Sequence, residues 1–276
     1  SCPIPTPAVS FSVKNKNADI GIIITASHNS KIWNGIKIKN KYGQSISESK
    51  ANKLTEIISK EKIDMEEFNK FNSIDINKNH LTDLLPDYIN SIRKIIDVNK
   101  IKNSKLRLIV DCMNGTSKSI LEKIIGEGEC KIIEINNNND SSFPGIKQPE
   151  PIEENLSDLK LKVKELNADV GFAFDADSDR VGIIDNKSNY IEAPFAFCII
   201  ADHVLGNKKI IKNISTTVSM TSMIDVITKK YDVRCFRTKV GFKYVAPNME
   251  ENDSIIGGEE SGGYSYSEHL LERDGI

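Results

Sequence analysis

No stretch of the 276-residue sequence approaches the ~20 consecutive apolar residues of a membrane-spanning helix, so no membrane segment is expected. The five cysteines, Cys2, Cys112, Cys130, Cys198 and Cys235, are odd in number, scattered and without C-x-x-C spacing. They support neither a disulfide framework nor a zinc site, and they fit a reducing cytosol. Charge of one sign is also lacking: 37 basic against 39 acidic residues leave a net charge of -2. A field that weak draws in neither nucleic acid nor an anionic membrane, so any phosphate must be handled by local basic loops. No signal-peptide pattern precedes the first apolar segment, and a cytoplasmic location is expected.

With 39% hydrophobic residues the chain can bury real cores, and at ~100–200 residues per domain its length predicts two or three of them. Strand-like and helix-like runs alternate in a pattern that repeats three times. Leu106–Val110, Ser117–Ile125, Lys131–Ile133 and Glu153–Leu166 read as strand, helix, strand and helix of the middle unit, a mixed α/β arrangement. Polar stretches at Asp97–Lys100 and Asn186–Asn189 mark boundaries, which divides the chain into residues 1–98, 99–189 and 190–276. Asn136–Asp140 predicts a mobile loop.

The richest local chemistry is Asp175-Ala176-Asp177-Ser178-Asp179-Arg180, which follows the apolar run Val170–Phe174 and precedes Val181–Ile184. The flanking runs read as strands, so three carboxylates at alternate positions share a tight turn and repel one another unless a cation neutralises them. A hard divalent ion, Mg2+ before others, suits such oxygen ligands. An EF-hand loop is excluded, because it needs glycine and glutamate where this chain has Arg180 and Asn186, and helices on both sides. Two alternatives stay open: a phosphatase in which Asp175 attacks phosphate, and a plain solvated acidic turn.

Far upstream, Ile22-Ile23-Ile24 reads as a buried strand that runs into the polar turn Thr25-Ala26-Ser27-His28-Asn29. The alternating segment Asn34–Ile38 would bring Lys37 back beside Ser27. A serine that handles phosphate needs a nearby acid or base and a cation, which His28, Lys37 and the acidic turn could supply. The competing reading is a turn and capping cluster. A Ser-His-Asp hydrolase fits poorly, because adjacent side chains in an extended segment diverge. A third cluster, Gly257-Gly258-Glu259-Glu260-Ser261-Gly262-Gly263, combines close-approach glycines with side chains that bond sugar hydroxyls; alone it reads equally well as a flexible loop.

Taken in order and spacing, Thr25–Asn29 with Asn34–Lys37, Asp175–Arg180 and Gly258–Gly263 resemble the α-D-phosphohexomutase family of phosphoglucomutases and phosphomannomutases, from Pro5-Thr6-Pro7 to Asp274-Gly275-Ile276. The resemblance implies three tandem mixed α/β domains bearing, in turn, the phosphoserine, the metal and the sugar loop. It implies that Ser27 is the phosphoserine and a Mg2+ ligand with Asp175, Asp177 and Asp179. Lys37 would be the general acid or base, with His28 and Arg180 beside it on the phosphate side. Glu259 and Ser261 would grip sugar hydroxyls, and Lys243 would help to hold the substrate. The implied reaction interconverts hexose 1-phosphate and 6-phosphate through a hexose 1,6-bisphosphate, with glucose favoured over mannose. Ser30 departs from the family, which usually has proline there, and Phe242 stands where some members have histidine. Family members also begin with a strand and a glycine-rich basic loop and end with a fourth, phosphate-anchoring domain, so the resemblance implies an incomplete chain. A sugar-phosphate-binding fragment without turnover is therefore the third alternative.

Asp111 with Asn114-Gly115-Thr116 reads as a strand-to-helix turn and cap. His80, His203 and His269 read as ordinary histidines, and Trp33 and Tyr264 as packing residues.

Overall fold

The computed structural model describes residues 3–61 and 82–276; Cys2 and His80 lie outside the described residues. The architecture is three tandem mixed α/β units, as expected. In the first, α1 (Thr6–Asn15) starts at the proline pair Pro5 and Pro7, whose fixed φ suits a first helical turn. It leads to β1 (Ile20–Ile24), which pairs antiparallel with β2 (Ile36–Asn40), and then to α2 (Glu48–Lys60) and α3 (Leu85–Ile95).

The β1–β2 ribbon is inside-out relative to its hydrophobic pattern. Its register puts Ile20, Ile22 and Ile24 on one face with Ile36 and Ile38, and Gly21 and Ile23 on the other with Lys39 and Lys37. The lysine face is the inner one: Lys39 is 2% exposed, whereas Ile22 and Ile24 are 63% and 74% exposed. The expectation of a buried Ile22–Ile24 strand is thus corrected, since only Ile23 turns inward. Trp33 is likewise exposed rather than packed. Among the described residues no element covers the isoleucine face, while α1 contacts the inner one.

The boundary stretch at Asp97 is a short helix, α4 (Val98–Lys102), whose first turn Asp97 caps by accepting from the Lys100 amide. The middle unit holds β3 (Arg107–Asp111), α5 (Ile120–Ile125), β4 (Lys131–Ile135), α6 (Ser157–Glu165), β5 (Val170–Phe174), β6 (Val181–Asp185) and β7 (Tyr190–Ile191), with sheet order β4-β3-β5-β6-β7. Helix α5 starts later than the pattern suggests, because Ser119 sits at φ 59° and breaks the first turn. The 153–166 segment divides into a 3-10 turn and α6. Asn186–Asn189 is the hairpin between β6 and β7, so the middle sheet runs two residues past it. The expected mobile loop is pinned at its start: the Asn114 amide donates to the Asn136 carbonyl and the Asn136 side chain to Asp111.

The third unit comprises α7 (Ala193–Asp202), β8 (Asn213–Thr217), α8 (Met223–Lys230), β9 (Cys235–Thr238), α9 (Phe242–Glu251), β10 (Ser254–Gly258) and β11 (Tyr264–Tyr266), with order β11-β10-β8-β9. Its core gathers Phe197, Ile214, Ile224, Ile255 and Tyr264, and the Tyr264 hydroxyl donates to the Ala193 carbonyl. A second core joins α1 and α3 of the first unit to α5 of the middle one through Ala8, Tyr88, Ile92, Ile120 and Ile124.

The segment after β11 ties all three units together. The Asp274 carboxylate accepts from Tyr88 at 2.8 and 2.9 Å and lies 3.0 Å from His269, whose other ring nitrogen meets Ser91. The Gly275 amide donates to the Ser178 carbonyl, and a Cβ on Gly275 would lie 2.6 Å from the Arg180 carbonyl oxygen. Gly115 makes the corresponding approach inside the middle unit, where a Cβ would stand 2.4 Å from the Ala176 carbonyl oxygen, directly behind the acidic turn. Backbone yields little to such a clash, so Gly115→Ala should lower stability by about 1–3 kcal/mol in urea unfolding. A variant within about 0.5 kcal/mol of the parent would show that the turn has slack.

Candidate active site

The acidic turn is built by its own first residue. Asp175 directly follows β5, and its Oδ1 accepts from the amides of Asp179 and Arg180 at 2.9 and 3.0 Å, while its carbonyl accepts from the Ser178 amide. This closes the turn, with Ser178 at φ 61°. Asp175, Asp177 and Asp179 are 0%, 4% and 2% exposed, and each offers an oxygen within 4.8 Å of the others.

Burial and the neighbouring Asp179 and Asp177 push the Asp175 carboxyl well above the ordinary range. For Asp179 burial works the same way, but Arg273 and Lys37 outweigh it and hold that carboxyl well below the ordinary range. Two oxygens, Asp177 Oδ1 and Asp179 Oδ1, are buried without a partner. Unpartnered buried carboxylate oxygens are costly, and a hard divalent cation would satisfy them, so the residues present fit a metal ion.

Ser27 arrives from the β1–β2 turn, itself at φ 53°, with its amide bonded to Thr25 Oγ1. Its Oγ stands 3.4 Å from Asp175 Oδ2 and 3.3 Å from Lys37 Nζ. Lys37 reaches across from β2 to Asp177 and Asp179 at 2.7 and 2.8 Å. Burial would lower its pKa, but those two carboxylates raise it, so Lys37 rests protonated. His28 lies 3.8 Å from Glu150, which also takes Arg180 at 2.8 Å. Burial and then Arg180 lower the His28 pKa, so its ring is neutral at pH 7, and its Nδ1 is buried without a partner.

The glycine loop between β10 and β11 brings Glu259 to the same place. Its carboxyl is raised chiefly by burial and is held at 3.2 Å by Arg273, whose second nitrogen reaches Asp179 at 2.8 Å. Ser261 stands half-buried in that loop. Lys243 does not join the group: it pairs with Glu48 at the start of α2, 3.2 Å away, next to Tyr244, which donates to the same carboxylate.

The same order of three α/β domains recurs in known proteins. Sequence patterns for domains I, II and III of phosphoglucomutase/phosphomannomutase match residues 2–65, 86–188 and 195–276. The chain belongs to the phosphoglucomutase/phosphomannomutase family. A phosphoglucomutase/phosphomannomutase of Thermococcus kodakarensis is 35% identical over 98% of this chain, and a phosphoglucosamine mutase of Methanocaldococcus jannaschii is 32% identical over 99%. The chain spans 58% and 59% of the length of these two relatives. A Thermus thermophilus structure assigned as a phosphomannomutase superposes with a TM-score of 0.86 at 26% identity, covering 100% of this chain and 61% of that one.

Four contributors to the group were not foreseen. Thr6 anchors Asp177 twice, by its hydroxyl at 2.7 Å and its amide at 2.9 Å. Glu150 holds Arg180, Arg273 bridges two loops, and Glu272 supports Arg273 from behind. The charged run Glu272-Arg273-Asp274 was visible, but charged runs usually face solvent, and only folding shows that this one is buried.

Glu272 makes that burial measurable. Burial alone would raise its pKa, but Lys39, Arg273 and the Ser45 hydroxyl hold it down to about 2 from an ordinary 4.5. A depressed carboxyl stabilises the fold fully above its unfolded pKa and loses that contribution as pH falls through its folded one. Between pH 4.5 and 2 the fold should thus lose about 3 kcal/mol to this one group. Denaturation followed against pH checks this, and Glu272→Gln should flatten that stretch of the curve.

Proposed function

We propose that the chain carries the phosphoryl-transfer centre of a phosphohexomutase, in which Ser27 is the phosphoryl carrier between the two ends of a hexose phosphate. The observation that carries this reading is the position of Ser27 Oγ between Asp175 and Lys37, at the mouth of a buried acidic turn with two unpartnered oxygens. On this reading Asp175, Asp177, Asp179 and a phosphoserine oxygen would hold Mg2+, which when bound draws charge from the transferring phosphoryl group.

The rest of the chemistry falls to side chains. The substrate hydroxyl attacks phosphorus, the bond from phosphorus to Ser27 oxygen breaks, and the new ester forms on the sugar. Lys37, resting protonated, gives a proton to the departing Ser27 oxygen, and the proton of the attacking hydroxyl restores the Lys37 ammonium, so the step is proton-neutral. In the return half-reaction Ser27 takes the other phosphoryl group of the hexose 1,6-bisphosphate. Arg180 and neutral His28 face the phosphate side and Glu259 and Ser261 the sugar, with Lys243 available to the substrate if it leaves Glu48. We favour glucose phosphate over mannose phosphate. Glucosamine phosphate is the competitor to test, because a relative bears that sugar in its name.

Incubation with glucose 1,6-bisphosphate and Mg2+, followed by peptide mass mapping, should place a phosphoryl group on Ser27 and none on Ser27→Ala, and chelation of Mg2+ should suppress the label. Label on Asp175 would instead make the protein an aspartate-nucleophile phosphatase, and sugar-phosphate binding without label would make it a binding module. In a coupled assay Lys37→Met should lower kcat by ~10²–10⁴-fold with KM for the hexose phosphate little changed. Loss of affinity at an unchanged rate would assign Lys37 to substrate holding.

A further inference from the structure

Behind the two cations that reach the acidic turn lies a second, deeper pair. Lys39, two residues from Lys37 on the inner face of β2, and Glu272, the neighbour of Arg273, are each 2% exposed and meet at 2.9 Å. The Ser45 amide and hydroxyl donate to the same carboxylate oxygen at 2.7 and 2.6 Å, and Lys39 also donates to the Ser45 hydroxyl at 3.0 Å. The other Glu272 oxygen accepts from the Arg273 amide at 3.1 Å. The hydrogen-bond partners of the Lys39 ammonium, the Ser45 hydroxyl and the Glu272 carboxylate are one another and the amides of Ser45 and Arg273, not Ser27 or the three aspartates.

A buried ion pair is weak evidence for stability, because well-packed apolar residues of similar volume serve as well or better. Its distinctive property is directional: three hydrogen bonds from Lys39 and Ser45 converge on one Glu272 oxygen, and they form together at only one mutual position of β2, with the turn after it, and the 272–274 segment. From those same two segments Lys37 and Arg273 depart, and both end on Asp179 Oδ2, each at 2.8 Å. Backbone from Lys37 to Lys39, the pair Lys39–Glu272, backbone to Arg273, and the two contacts on Asp179 close a ring across the first, middle and third units.

We propose that Glu272, locked by Lys39 and Ser45, is a positioning residue that sets where Arg273 bridges Asp179 and Glu259. Its link to turnover rests on the mutase reading; its control of Arg273 does not.

The double variant Lys39→Met/Glu272→Gln removes both buried charges, keeps an acceptor for Ser45 and leaves Ser27, Lys37, the three aspartates, Glu259 and Arg273 intact. Phenylglyoxal modification mapped by peptide mass reads the guanidinium of Arg273 directly, with Glu150-paired Arg180 as the internal reference. In the double variant, shown folded by its thermal melt, Arg273 should react about tenfold faster, within the range of coupling in one charge network, while Arg180 keeps its rate. Parent-like labelling of Arg273 overturns the proposal. Ser45→Ala, a milder change, should move Arg273 in the same direction by a smaller factor, and it decides the matter if the double variant does not fold; no change there also overturns it. In the coupled mutase assay, adding Lys39→Met/Glu272→Gln to Arg273→Met should slow turnover little beyond Arg273→Met alone, whereas independent, multiplying losses would reduce Glu272 to a structural role. If Ser27 takes no phosphoryl label, the function proposed above fails, and the phenylglyoxal modification still decides whether Glu272 positions Arg273.

Discussion

Three carboxylates within 4.8 Å of one another and at most 4% exposed cannot be buried together unless positive charge meets them. This constraint organises the molecule. Lys37 comes from the first unit, Arg180 follows the turn in the middle unit, and Arg273 comes from the third. No single unit supplies enough cation, so the acidic turn is electrostatically complete only when all three are docked. Docking and assembly of the site are the same event.

The demand for charge explains why the β1–β2 ribbon is turned over. Apolar burial would favour the isoleucine face inward, at a gain of roughly 1.5–3 kcal/mol for each side chain fully covered. The fold places Lys37 and Lys39 inward instead, where the first meets Asp177 and Asp179 and the second meets Glu272. Lys37 and Lys39 together serve three buried carboxylates, and each one left without its cation costs about 3–5 kcal/mol, a total that offsets the exposure of the isoleucine face. The 272–275 segment does similar work at each residue in turn: Glu272 faces β2, Arg273 the acidic turn, Asp274 the Tyr88–His269 pair, and Gly275 the backbone behind Arg180.

Much of the site was legible before folding because it is local. Val170–Phe174 followed by alternating aspartates reads as strand and turn with no reference to anything distant, and the structure has β5 ending at Phe174, directly before Asp175. Thr25–Asn29 and the Gly257–Gly263 loop are short-range in the same way, and both are found as turns at strand ends. Apolar patterning misleads where ion pairing governs: it predicts Ile22–Ile24 buried and Trp33 packed, and of these only Ile23 turns inward. The paired Lys39 and Glu272 carry no sequence signal, because buried charge leaves no periodic trace.

The sequence by itself determined the chemical inventory: a strand that ends in three alternating acids, a serine and a lysine ten residues apart, and a glycine loop with a carboxylate. Each follows from short-range backbone geometry, which acts within a few residues. Tertiary structure decided which distant partners complete them. Arg273 on both Asp179 and Glu259, Glu150 beneath Arg180, Lys39 with Glu272, and Lys243 on Glu48 rather than at the site are choices made across up to 233 residues of chain. Electrostatic pairing depends on distance in space and on exclusion of water, and neither exists until the three units close on one another.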